Sequence, residues 1–172
     1  MYALAARELY NANGPSKKAQ ILAKFKGDKL APKRPPYAEF EPGFLELRFS
    51  TKMTKQKALV RYILTKIYQS NCEGLPIDQE RTTIEHLAAE SAAKTTNLAD
   101  ENIASIGNLI LIDKSLNEKL ANKEFAEKVK ILKQAKVWVD PVILKAKKWG
   151  AKEIAERTKL LAAESYKKVW KL

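Results

Sequence analysis

The chain has 172 residues, 45% of them hydrophobic, which is enough for one globular domain with helical extensions. Its 32 Lys and Arg outnumber 20 Asp and Glu, and the formal net charge of +12 favours a polyanionic partner such as nucleic acid. One cysteine, Cys72, excludes an internal disulfide, and together with the single histidine, His86, it is too little for a Cys/His zinc cluster. The apolar stretches are too short to span a membrane and the N-terminus lacks the apolar core of a secretory signal, so we expect a cytoplasmic protein.

The charge is unevenly distributed along the chain. Residues 1–66 and 119–172 each carry a net charge of +9, whereas residues 67–118 carry −6. In a metal-dependent enzyme acting on a phosphate backbone, central carboxylates would hold the cation and the basic flanks would grip neighbouring phosphates. The alternative is a lysine-rich surface that only keeps the helices in solution.

The first half of the chain is predicted to be helical, with one proline-rich break. Leu59, Ile63 and Ile67 recur at helical spacing and would form one face of the longest of these helices. Two adjacent prolines exclude a helix interior from the linker. Residues 40–49 favour no single element, and residues 71–79 are predicted to form a loop. The predicted helices cover residues 7–11, 16–25 and 54–68, and the linker covers residues 30–36.

The second half is predicted to combine two short strands with helices. A β-branched run around Thr83 predicts one strand, and an apolar run after Gly107 predicts the other. Phe125, Val129 and Leu132 would form the buried stripe of the helix that follows. The predicted strands cover residues 81–87 and 108–112, and the predicted helices cover residues 120–135 and 151–170, with a short helix between them.

One group of residues carries recognisable chemistry. His86 ends the first predicted strand directly after Glu85, Asn108 opens the second strand, and Asn117 and Asn122 follow at the start of the next helix. This order of strand, loop, strand and helix is the layout of a ββα-metal nuclease centre. A carboxylate and an amide oxygen can hold a hard cation such as Mg²⁺. A neutral imidazole beside them can take a proton from the attacking water.

Residues 54–172 resemble the C-terminal HNH-like (His-Me finger) nuclease domain of GmrSD-type restriction endonucleases. The motifs that carry the resemblance are Glu85-His86, Gly107-Asn108-Leu109, the pair Asn117 and Asn122, Phe125 with Lys128, and Glu156-Arg157-Thr158 with Trp170. The resemblance implies an α+β, mostly helical fold with a ββα-metal (HNH-like) core embedded in a helical domain. It also implies a metal-dependent DNA endonuclease that acts in restriction or anti-phage defence.

The resemblance implies a role for each of these residues. His86 would be the general base, and Glu85 and Asn117 would bind Mg²⁺ or another divalent cation such as Mn²⁺. Asn108 would hold the loop between the strands through hydrogen bonds from its side chain to the backbone. The expected catalytic residues are therefore His86, Asn108 and Asn117, and the expected contacts to nucleic acid are Asn122, Lys123 and Lys128.

The domain organisation follows the same resemblance. Residues 1–52 would form a basic helical extension and residues 53–172 the nuclease domain, with its core at about residues 81–135 and C-terminal helices at residues 136–172. The family has proline three residues after the histidine, whereas this chain has Ala89, which leaves the loop after the base less fixed. GmrSD-type proteins also carry an N-terminal nucleotide-dependent domain. Nothing in this sequence resembles its phosphate-binding part, which leaves two alternatives: a fragment that works with such a domain or subunit as a partner, or a stand-alone nuclease module.

Several alternatives stay open at the level of sequence. Asp113 competes with Glu85 as the acidic ligand, and Asn117 would also suit a helix N-cap. Neighbouring residues of a strand face opposite sides, so a metal ligand at Glu85 beside a base at His86 requires a twist at the strand end. The alternative function is a non-catalytic basic DNA-binding module or a decayed nuclease, and RNA binding or cleavage is a third class that shares the charge argument.

Overall fold

The fold combines many helices with one small sheet, in agreement with the predicted α+β class. A computed structural model describes residues 1–72, 78, 80–91, 98–135 and 137–171. The helices are α1 (Tyr2–Asn11), α2 (Pro15–Phe25), α3 (Tyr37–Leu45), α4 (Lys57–Asn71), α5 (Asp100–Ala104), α6 (Lys114–Leu120), α7 (Phe125–Gln134), α8 (Pro141–Lys145) and α9 (Ala151–Glu164). The strands are β1 (Thr82–His86) and β2 (Leu109–Asp113).

The two strands pair antiparallel and separate two hydrophobic clusters. His86 lies opposite Leu109 at one end of the sheet, and Thr82 lies opposite Asp113 at the other. Ile84, Leu109 and Leu111 pack with apolar residues of α3, α4 and α9 on one face. Ile110 and Ile112 pack with α6, α7 and α8 on the other face. Both predicted strands are confirmed to within a residue or so at each end, because β-branched and apolar side chains suit a sheet that is buried on both faces.

Helix α4 supplies one wall of the first cluster, with a face that differs from the predicted one. Its buried residues include Val60, Ile63, Leu64 and Ile67, whereas Leu59 is 48% exposed. The prediction that Leu59 shares the buried face is wrong, because the helix is turned so that position 60 points inward instead. Each fully buried Val, Leu or Ile side chain contributes about 1.5–3 kcal/mol to folding.

The helix predicted at residues 120–135 is α7, which begins five residues later than predicted, and a separate helix, α6, lies before it. Asp113 caps α6 by accepting a hydrogen bond from the Ser115 backbone N–H, so that the helix begins directly after β2. Ala121 ends α6 with a φ of 39°, a left-handed conformation that an α-helix cannot continue. Asn117 therefore lies inside α6, and the interpretation of Asn117 as an N-cap is wrong.

The N-terminal helices extend further than predicted and bury little. Helix α1 begins at Tyr2, and helical turns continue past Gly27 through Lys26–Leu30 and Ala31–Lys33. Neither α1 nor α2 contains a buried residue. The unassigned stretch at residues 40–49 contains most of α3, whose Phe44 is buried. Within the described residues, no helix is both long and apolar enough to cross a lipid bilayer.

The side chain of Asn108 ties three separate segments together. Its Oδ1 accepts hydrogen bonds from the Ala88 backbone N–H (2.8 Å) and from the Trp149 indole Nε1 (2.9 Å). Its Nδ2 donates to the carbonyls of Ala88 (2.9 Å) and Ile103 (2.8 Å). Both amide protons and both lone pairs of this fully buried side chain are used. We call these four bonds the Asn108 clamp.

The turn that carries Asn108 is pressed against α9. Arg157 is buried, and its Nη1 donates to the carbonyls of Gly107 (2.7 Å) and Leu109 (3.0 Å). A Cβ atom on Gly107 would lie 2.2 Å from both the Ile154 carbonyl oxygen and Thr158 Oγ1. Only glycine lets the backbone approach the helix this closely, so α9 fixes where the clamp sits.

Replacing Gly107 by alanine tests this close approach. We expect Gly107→Ala to lower the free energy of unfolding by about 1–3 kcal/mol, because the new methyl group must displace the backbone of α9. Urea denaturation measures the change. Gly43→Ala is the matched control, since a Cβ there meets nothing within 4 Å. Equal stabilities for the two variants would show that the turn does not depend on glycine.

Replacing Asn108 should lower the free energy of unfolding by more than replacing Gly107 does. In Asn108→Ala, the Ala88 amide and carbonyl, the Ile103 carbonyl and the Trp149 indole lose their partners. Each unsatisfied buried group costs about 1–3 kcal/mol, so we expect a total loss of about 3 kcal/mol or more in urea denaturation. Asn122→Ala, at an exposed position, should change stability by less than about 0.5 kcal/mol. A loss below about 1 kcal/mol for Asn108→Ala would contradict the clamp.

Candidate active site

His86 ends β1 with its ring almost completely buried. Its Nε2 lies 2.9 Å from the backbone carbonyl oxygen of Phe49, and the two rings stack with centroids 6.0 Å apart. Because a carbonyl oxygen can only accept, Nε2 must carry the proton of this hydrogen bond. In the neutral ring, Nδ1 then keeps its lone pair, which is the form that a general base requires.

The surroundings of His86 favour the neutral ring. Burial lowers the pKa of His86, against the opposing influence of the Phe49 carbonyl and of the nearby carboxylates. One of these carboxylates is that of Glu90, whose Oε1 lies 3.6 Å from His86 Nε2. With a pKa below the ordinary value, the imidazole is uncharged at neutral pH.

The loop after His86 is fixed without a proline at position 89. The Asn108 clamp holds both the N–H and the C=O of Ala88. Two residues further on, the Glu90 carboxylate accepts hydrogen bonds from the backbone N–H (3.0 Å) and the hydroxyl of Thr51. Side-chain bonds on both sides of Ala89 therefore replace the stiffness that a proline would give.

Glu85 faces the opposite side of β1 from His86, as strand alternation predicts. Its Oε1 lies 2.6 Å from Lys128 Nζ, and the same ammonium donates to the His86 backbone carbonyl at 2.6 Å. Lys128 is fully buried, so its ammonium is not available to a nucleic acid, contrary to the contact that the resemblance implies. It links α7 to the end of β1 instead.

Asn117 lies on α6, which packs on the same face of the sheet as Glu85. Leu116 and Leu120 of this helix share a cluster with Ile110, the residue opposite Glu85 in the sheet. Asn117 Oδ1 is buried and accepts no hydrogen bond from any described residue. A buried acceptor without a partner is rare in folded proteins and requires an explanation. A metal ligand is one such explanation, because the lone pairs of Oδ1 stay available to a cation.

Glu85 and Asn117 carry the donor types, a carboxylate and an amide oxygen, that a hard cation prefers. Within residues 1–72, 78, 80–91, 98–135 and 137–171, no three His, Cys, Asp or Glu side chains come together as a metal site. A cation bound by Glu85 and Asn117 would take its other ligands from water and phosphate. Mg²⁺ suits such a site because it usually keeps several waters and binds proteins through one or two carboxylates.

The remaining predicted residues lie away from His86. Asp113 caps α6 at the far end of the hairpin, where the bond from Ser115 lowers its pKa, and Arg81 Nε lies 3.8 Å away. The length of the sheet therefore separates its carboxylate from His86. Asn122 and Lys123 lie exposed in the turn between α6 and α7.

The sequence did not predict three residues that hold His86 and the loop after it. The bond from His86 to Phe49 joins residues 37 apart in the chain, that from Thr51 to Glu90 joins residues 39 apart, and that from Trp149 to Asn108 joins residues 41 apart. The resemblance implies that Lys128 contacts nucleic acid, although its partners are Glu85 and the His86 backbone. No local motif predicts such long-range contacts, and the motif of Phe125 with Lys128 was the one sequence signal that singled out this lysine.

Comparison with known families identifies the chain. Residues 35–164 of the 172-residue chain match the family model of the GmrSD restriction endonucleases, C-terminal domain. Comparison with curated proteins and with solved structures finds no match. The family match spans α3 to α9 and so contains β1, β2, α6 and the residues around His86. The chain therefore belongs to the family of GmrSD restriction endonuclease C-terminal domains.

Proposed function

We propose that this chain is a metal-dependent DNA endonuclease domain of the HNH type, which hydrolyses phosphodiester bonds in restriction or anti-phage defence. The observation that carries the proposal is the state of His86, a neutral ring whose Nε2 is bound to the Phe49 carbonyl and whose Nδ1 keeps its lone pair. The restriction endonuclease family and the net charge of +12 support DNA as the substrate. The succession of β1, β2 and α6 supports a ββα-type centre.

His86 acts as the general base in this proposal. Its Nδ1 accepts the proton of the water that attacks the scissile phosphate. The ring becomes positively charged in this step, and the Phe49 carbonyl, bonded at 2.9 Å, stabilises that charge. The Glu90 carboxylate, 3.6 Å from Nε2, adds to the stabilisation. The Asn108 clamp keeps the ring in place by fixing Ala88.

Glu85 and Asn117 are the residues that would hold Mg²⁺ or Mn²⁺. When bound, the cation supplies charge stabilisation for the scissile phosphate and the leaving oxygen. Lys128 orients Glu85 by holding its Oε1, which leaves Oε2 for the cation. Asn117 contributes Oδ1, the buried acceptor described above. Asn122 and Lys123, in the exposed turn after α6, contribute contacts to flanking phosphates.

A second candidate function is a DNA-binding module that has lost catalysis. One observation favours it, namely the salt bridge of 2.6 Å by which Lys128 already neutralises Glu85. In that case the Lys128 ammonium takes the place of a metal cation, and DNA binding persists without cleavage. Cleavage that depends on a divalent cation separates the two functions directly.

The first prediction of the proposed function concerns His86. We expect the parent protein to nick supercoiled plasmid in Mg²⁺, because one such centre cuts one strand. His86→Ala should be slower by a factor of about 10²–10⁴, the usual contribution of a general base. Gel electrophoresis of the plasmid measures both rates, with EDTA as the metal-free control. Thermal unfolding checks that the variant is folded. Equal cleavage by the parent and the folded variant would refute the role of His86, and no cleavage by the parent would favour the second candidate function.

The second prediction uses the unpartnered oxygen of Asn117. We expect Asn117→Ala to raise the Mg²⁺ or Mn²⁺ concentration for half-maximal cleavage by about tenfold or more. Its stability should not fall, because the substitution removes a buried acceptor without a partner and introduces a better helix former.

Asn11→Ala is the matched control for this metal titration. It removes an exposed asparagine from the end of α1, a helix that holds none of the proposed metal-binding or DNA-binding residues, and should leave the metal dependence unchanged. A less stable Asn117→Ala protein with unaltered metal dependence would show that Asn117 is only a structural residue.

A further inference from the structure

A basic groove lies along one side of β1 and shares Phe49 with the candidate active site. Its volume is about 770 Å³. Three cations and one carboxylate are among the residues that line it: Phe49, Lys57, Arg61, Glu80, Thr82, Thr83, Ile84 and Lys114. Its surface is thus positively charged although residues 67–118 as a whole are acidic.

The groove borders the edge of β1 that faces away from β2. Arg61 reaches from α4 to this edge, where its Nη2 donates to the carbonyl (2.9 Å) and the hydroxyl (3.0 Å) of Thr82. These bonds orient the guanidinium beside the strand. Lys57, at the start of α4, and Lys114, at the start of α6, are both exposed. Neither ammonium forms a salt bridge with a carboxylate of the described residues, so both are available to an anion.

Phe49 connects this groove to the candidate base. Its ring lines the groove, and Lys57 Nζ lies 5.5 Å from the ring centroid. The same ring stacks on His86, and the same residue's carbonyl accepts the bond from His86 Nε2. The Phe49 ring therefore lies between Lys57 and the His86 imidazole, and a phosphate backbone bound at Lys57 would lie close to the imidazole.

A ligand that lies along the edge of a strand can contact side chains from both faces of that strand. Glu85 and His86 belong to opposite faces of β1, and an extended ligand that crosses only one face would meet only one of them. A ligand along the outer edge lies next to both faces. The turn that contains Asn122 and Lys123 lies beyond α6 and does not line this groove.

We propose that the sugar–phosphate backbone of the DNA lies in this groove along the outer edge of β1, with Lys57, Arg61 and Lys114 contacting its phosphates. This inference rests on the proposed function and adds where the substrate strand runs. Phosphate contacts by Lys and Arg supply affinity that is independent of sequence and fix the register of the backbone. Lys57 and Lys114 then position the scissile phosphate near His86, and neither takes part in the chemistry.

The test measures how DNA affinity depends on salt. A labelled DNA duplex is titrated with the full chain in EDTA, so that no cleavage occurs, at several salt concentrations. Each phosphate contact contributes about 0.9 to the slope of log affinity against log salt concentration. The double variant Lys57→Gln, Lys114→Gln should therefore reduce the magnitude of the slope by about 2.

A matched double variant, Lys133→Gln with Lys159→Gln, makes the same change of charge on exposed positions of α7 and α9 outside the groove. Its slope should equal that of the parent. Equal reductions of the slope in the two double variants would overturn the proposal, because the net charge of the protein would then explain both reductions. An unchanged slope in the Lys57→Gln, Lys114→Gln variant would also overturn it. Since binding is measured without metal, the expected slopes would support the groove even if the protein proved unable to cut DNA.

Discussion

The buried amide of Asn108 is the interaction on which the arrangement around His86 depends. A primary amide can make two donor and two acceptor bonds, and Asn108 makes all four inside the protein. Removing such a group from water is unfavourable unless every bond is replaced. The backbone of Ala88, the carbonyl of Ile103 and the indole of Trp149 supply the replacements, so three segments of the chain are held by one side chain.

The clamp is in turn held by α9. Arg157 binds the carbonyls on either side of Asn108, those of Gly107 and Leu109, and a salt bridge to Asp140 compensates part of the cost of burying its guanidinium. Gly107 permits the contact because it has no side chain. Helix α9 thereby determines where the loop after His86 lies.

Local signals in the sequence predicted the elements that carry the site. β-branched and apolar runs predicted both strands, and the position of His86 at the end of the first strand followed from them. The resemblance implied that Asn108 holds the loop, and its side chain does bond to the backbone of Ala88. The break at Ala121 was not predictable in this way, because alanine is the residue that most favours a helix and gives no local signal of the positive φ found there.

The long-range contacts around Glu85 and His86 could not be predicted from the sequence, for a physical reason. Lys128 and Glu85 are separated by 43 residues, and His86 and Phe49 by 37. Such pairs form only when distant segments pack, and nothing in local periodicity records them. The resemblance implied a nucleic-acid contact for Lys128, although the structure buries this lysine, which is rare. Its burial beside Glu85 is what gives the carboxylate a fixed orientation.

The protonation of His86 is the central claim, and one measurement tests it directly. Because the chain contains one histidine, nitrogen NMR of protein labelled with ¹⁵N-histidine gives a single pair of ring signals that report which nitrogen carries the proton. The account predicts a neutral ring at pH 7 with the proton on Nε2 and a bare Nδ1. A proton on Nδ1, or an imidazolium at that pH, would contradict the role of His86 as the base.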